Sequence, residues 1–138
     1  MTRRRWTAAG AAGLLIVAVV VVVVILVNRG ADGVRRLDEG DAGAVVEMSV
    51  GEQVVLELEG NATTGYTWQV TSIDPAVLAP AGDPDYESSS DADGAGGTFT
   101  FRFDAVGVGE AQVVLMYFPS WEEPSATAGS FTFTVVVD

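Results

Sequence analysis

The residues of this chain best suited to chemistry are small, polar or aromatic, and they fall in three separate clusters. Asn61-Ala62-Thr63-Thr64-Gly65-Tyr66-Thr67-Trp68 stands between an alternating run, Gln53 to Glu59, and another that begins at Tyr66. Gly94-Ala95-Gly96-Gly97 precedes the run Thr98 to Asp104, and Pro119-Ser120-Trp121-Glu122-Glu123 follows the run Ala111 to Phe118. Hydroxyls, a carboxamide, glycines and exposed rings can pack and hydrogen-bond, but they do not make a catalyst. The chain has no His and no Cys, so the usual bases, nucleophiles and soft metal ligands are missing. Glu122 and Glu123 are adjacent, and adjacent side chains point to opposite faces of an extended strand. The chemistry expected is recognition, carried by loops, with no enzyme activity and no cofactor.

Charge narrows the partners. From Leu37 onward Arg102 is the only basic residue, against eighteen of the chain's 19 acidic residues. So negative a surface is a poor match for nucleic acid or for an anionic membrane face. The stretch with Asp83, Asp85, Glu87, Asp91 and Asp93 lacks the 12-residue spacing and terminal Glu of an EF-hand, and reads as a solvated acidic loop. With no Cys there is no disulfide framework, so the domain must hold by its core alone.

The elements that must position the three clusters read as strands. Val46, Met48 and Val50; Val54, Leu56 and Leu58; Phe99, Phe101 and Phe103; and Phe131, Phe133, Val135 and Val137 each form an apolar row at period two. Such a row needs covering, and no amphipathic helix is available to cover it. A second sheet is the remaining partner, which predicts an all-β, immunoglobulin-like antiparallel β-sandwich over residues 44–138, with Trp68 meeting the three Phe in its core. Val113 to Met116, apolar on both faces, predicts a central strand, and residues 79–93 read as a long loop with a short edge strand near Tyr86. Alternate hairpins of a sandwich turn at alternate ends. The three clusters therefore fall at one end, as antibody loops do.

Ahead of this domain, Ala8 to Val27 is an uncharged run of Ala, Gly, Leu, Ile and Val preceded by Arg3, Arg4 and Arg5. As a helix it would span about 30 Å, the thickness of a bilayer's hydrocarbon core. A cleaved signal is usually shorter and ends in a small-x-small site, whereas this run ends in Asn28-Arg29-Gly30-Ala31. The expectation is a transmembrane anchor at 8–27, a short cytoplasmic segment at 1–7, a Gly-, Asp- and Arg-rich linker at 28–43, and an acidic domain outside the cell membrane.

The loop residues resemble the chagasin-like inhibitors of papain-type cysteine proteases. That family carries an Asn-Pro-Thr-Thr-Gly-aromatic loop with a Trp two residues on, a Gly-x-Gly-Gly loop, and an Arg-Pro-Trp type motif after a Tyr-containing strand. Here the first is matched by Asn61, Thr63, Thr64, Gly65, Tyr66 and Trp68, the second by Gly94, Gly96 and Gly97, and the third by Tyr117, Pro119 and Trp121. The resemblance, covering about residues 44–137, implies that the first loop plugs a protease cleft while the other two grip its walls. Three departures stand out: Ala62 replaces Pro, Phe118 stands where Arg is expected, and Ser120 separates Pro119 from Trp121. These leave open a second reading, a cell-surface adhesion or envelope-assembly module using the same edge.

Overall fold

The computed structural model describes residues 33–125 and 127–138. The expected anchor, the segment before it and the start of the linker lie outside the described residues. Among the described residues nine strands are formed: β1 (Val34–Leu37), β2 (Val45–Met48), β3 (Gln53–Gly60), β4 (Tyr66–Ser72), β5 (Leu78–Pro80), β6 (Asp85–Ser88), β7 (Gly97–Ala105), β8 (Gly109–Pro119) and β9 (Gly129–Val137). One sheet runs β1-β3-β7-β5, with β6 also on β7, and the other runs β2-β9-β8-β4.

Alternation along these strands builds the core. Val54, Leu56 and Leu58 on β3 and Phe99, Phe101 and Phe103 on β7 are buried from one sheet. Val113 and Leu115 on β8 and Phe131, Phe133 and Val135 on β9 are buried from the other. Phe103 meets Phe133 across the interface with ring centroids 5.9 Å apart. Tilted rings at that spacing are the favoured aromatic geometry, so the two sheets lock at their centre. β8 lies between β9 and β4, as its two apolar faces predict.

Four expectations need correction. The sheets are not purely antiparallel, because β1 pairs parallel with β3 and β2 parallel with β9. The stretch assigned to a linker contains β1: Leu37 is 2% exposed, and the Arg35 guanidinium meets the Glu52 carboxylate at 3.1 Å. A sequence as charged as Val-Arg-Arg-Leu gives little sign of this, since one ion pair and one buried Leu supply the whole inward face. Residues 79–93 hold the short edge strand expected near Tyr86, which is β6 on the free side of β7, but their start, read as loop, belongs to β5 on that same side. Trp68 is half-buried at the margin of the core rather than within it; its indole N–H donates to the Glu59 carbonyl at 2.9 Å, tying one sheet to the other.

Between β1 and β2 the chain makes a 3-10 turn over Glu39–Asp41. Asp38 caps it, accepting from the Gly40 N–H at 2.8 Å while Asp41 accepts from the Asp38 N–H. This reciprocal cap fixes the crossing from one sheet to the other.

Candidate functional site

Strand register brings the three clusters together. β3 ends with Gly60 opposite Gly97, the first residue of β7; β4 begins with Tyr66 opposite Pro119; and Tyr117 stands opposite Gly129. The β3–β4, β6–β7 and β8–β9 connections therefore share one pole of the sandwich, as expected.

The first connection is a 3-10 turn, Ala62–Thr64, and its hydrogen bonds are made within the loop. The Asn61 side-chain oxygen accepts from the Thr63 N–H at 3.1 Å and from the Thr63 hydroxyl at 2.5 Å. The Thr64 hydroxyl donates to the Asn61 carbonyl at 2.7 Å, and the Gly65 N–H donates to the Ala62 carbonyl at 3.0 Å. Gly65 closes the turn at φ 84°, the left-handed region that residues with a Cβ avoid. The departure at Ala62 thus leaves the turn ordered, because side-chain capping fixes the residues around it. Thr63 and Thr64 stand exposed at its tip.

Each neighbouring loop is tied to this turn. The Asn61 amide nitrogen donates to the Gly94 carbonyl at 2.9 Å, joining the first cluster to the second. On the other flank the Trp121 ring covers Gly65 so closely that a Cβ there would collide with it. Trp121 is nevertheless 69% exposed, with its other face to solvent. A large exposed ring held over a glycine is a ready contact surface.

The remaining candidates lie behind this rim. Tyr117 is half-buried; its hydroxyl accepts from the Asn61 N–H at 2.8 Å, and its ring lies 5.4 Å from Tyr66 and 5.2 Å from Trp68. Pro119 is buried at the end of β8. Gly97 is a strand residue where a side chain would strike the Glu87 carbonyl and the Tyr86 ring of β6. Gly96 is half-buried, and its carbonyl accepts from the Ser89 N–H at 2.9 Å and the Ser89 hydroxyl at 2.8 Å. These four support the loops, whereas Thr63, Thr64, Tyr66, Gly94 and Trp121 face outward. Ser89 was not foreseen: it anchors the β6–β7 loop, and only its place in a Ser-rich run hints at that. Phe118 is also buried, so the position expected to carry Arg offers no charge to a partner. Among the described residues no group of acidic side chains could hold a metal ion.

The sequence model of the chagasin family peptidase inhibitor I42 matches residues 47–135, from β2 to β9. The chain belongs to the chagasin family. That family is one of inhibitors rather than enzymes. Among curated proteins, Amoebiasin-1 of Entamoeba histolytica is 30% identical over 104 residues, 73% of this chain and 97% of that one. The solution structure of amebosin superposes with a TM-score of 0.62 at 29% identity, covering 75% of this chain and 96% of the other. The crystal structure of the cysteine protease inhibitor EhICP2 from Entamoeba histolytica superposes with a TM-score of 0.67, covering 76% and 96%, and at 19% identity its likeness is one of fold.

Proposed function

We propose that this protein is a membrane-tethered, extracytoplasmic, reversible inhibitor of papain-type cysteine proteases, with Thr63, Thr64 and Gly65 entering the active-site cleft and the loops of Gly94 and Trp121 lying along its walls. The observation that carries the reading is the pair of ties from the first turn to its flanks, Asn61 to Gly94 and Gly65 to Trp121. A cleft is a groove with two walls. A ridge of three loops locked side by side is its complement. Because the turn's hydroxyls and amides are already bonded to one another, little order is lost on docking. The same bonds oppose the distortion that cleavage of the turn would require. Membership of a peptidase-inhibitor family, and a fold shared with a cysteine protease inhibitor, support the target class. The uncharged run 8–27 supports the tether.

The test is titration of the chain lacking residues 1–27 against papain and a cathepsin. Reversible, tight inhibition is expected, lost in Thr64→Arg, where a long cation replaces the small tip, and weakened in Trp121→Ala. Absence of inhibition against any papain-type enzyme would overturn the reading in favour of an adhesion or envelope-assembly module.

A further inference from the structure

The pole opposite the three loops has its own character. β2 and β3 are joined there by the turn Ser49 to Glu52, and β7 and β8 by Val106 to Val108. Apart from Tyr66 and Trp121 at the loop pole, the exposed large apolar residues of the described chain are the three at these turns: Val50, Val106 and Val108, at 50%, 48% and 74% exposure. The turns are neighbours. The Gly51 N–H donates to the Ala105 carbonyl at 2.9 Å, and the Val50 N–H donates to the Asp138 carbonyl at 3.4 Å.

The chain enters the domain at this same pole. β1 runs parallel to β3 with Val34 opposite Gln53, and the Gln53 N–H donates to the Gly33 carbonyl at 3.1 Å. β3 then runs away from that point and ends at the first loop. Between the end of the apolar run at Val27 and the start of β1 at Val34 lie residues 28–33. Fully extended they reach roughly 20 Å, and less in any other conformation. If residues 28–43 were all linker, as composition implies, the domain could stand well away from the bilayer and turn freely. With β1 docked, its stand-off is limited to the reach of those six residues.

Resting on the reading of 8–27 as a membrane anchor, we infer that Val50, Val106 and Val108 form a lipid-contacting pole which seats the domain on the bilayer surface, so that the inhibitory edge faces away from the membrane. Single valines at turn tips are ordinary, but three together beside the point of attachment form a small apolar foot held close to lipid by its own tether. Its surroundings decide which lipid. Asp104 and Asp138 lie at this pole, and Glu52 is paired with Arg35, so the foot suits a zwitterionic surface and is repelled by a strongly anionic one. The partner protease then comes from outside the cell or from a facing surface, rather than from the same membrane plane.

The absence of Cys makes the test direct. Full-length Val108→Cys, Val50→Cys and Thr63→Cys proteins, each carrying an environment-sensitive fluorophore, are reconstituted into phosphatidylcholine vesicles and into vesicles with added phosphatidylglycerol. Blue-shifted emission, quenched by lipids bearing a spin label near the headgroup, is expected at positions 108 and 50 and not at 63, with a smaller shift in the anionic vesicles. If the protein floats with the vesicles but positions 108 and 50 report water, the foot is disproved and the anchor stands. If the protein does not float with them, anchor and foot fail together.

Discussion

The ring of Trp121 lies directly over the α-carbon of Gly65, in the place where any other residue would carry its side chain. Two independent demands therefore meet at Gly65. Its φ of 84° costs an L-residue roughly 1–2 kcal/mol, and a methyl group must also displace the indole. Gly65→Ala is expected to weaken inhibition at least tenfold while the sandwich stays folded, with the change visible in Trp fluorescence. Once Trp121→Ala is present, part of that loss should vanish, because the ring is no longer there to be displaced. A double-mutant cycle measures this coupling, and strict additivity would show that the ring and the turn act separately.

Asn61 gives the second prediction, since one side chain caps the first turn and reaches the second loop. Asn61→Ala removes the cap, worth about 1 kcal/mol, and frees Gly94. For a domain of this size, 1 kcal/mol lowers Tm by about 4–8 °C, which thermal denaturation would detect. Asn61→Asp keeps the acceptor for the Thr63 N–H and deletes the donor to Gly94. It should recover most of the stability and little of the inhibition, separating capping from the link between loops.

Much of this arrangement is legible in the sequence, and the reason is physical. Period-two rows such as Phe99, Phe101 and Phe103 report burial of one face, and Gly65 after two threonines reports a turn that needs a left-handed residue. The common pole follows from strand order alone. What the residues do not announce is pairing by backbone. β5, with only Leu78 fully buried, and β1, with two arginines, have no apolar row of their own and owe their place to the exposed edges of β7 and β3. The supporting roles of Tyr117 and Pro119 were hidden for a related reason: a motif gives the order of residues and not which of them turn inward.

Ala62 yields the third prediction. It is the first residue of the 3-10 turn, follows Asn61 in an extended conformation, and among the described residues no acceptor meets its N–H. These are the conditions proline needs, both for its own ring and for the residue before it. Ala62→Pro is expected to stabilise the domain by about 0.4–1 kcal/mol, chiefly by restricting the unfolded chain. Inhibition should tighten or hold. A fall in Tm would show that the turn's φ at position 62 does not accept the ring.

The last prediction concerns β1. The Arg35 side chain is mostly buried, its guanidinium meets Glu52 at 3.1 Å, and Glu52 also accepts from the Ser49 N–H at 2.6 Å. Removing Arg35 leaves a half-buried carboxylate beside the β2–β3 turn, which costs more than losing a surface pair and less than stranding a fully buried ion, about 1–3 kcal/mol. Arg35→Ala should therefore lower the denaturant midpoint clearly. Arg35→Ala with Glu52→Gln should restore part of the loss, because no unpaired charge remains. Deleting residues 28–41, which also uncovers the face that Leu37 closes, should cost more than either. Were that deletion to leave stability unchanged, β1 would be an ornament on β3, and the tether proposed above would no longer be short.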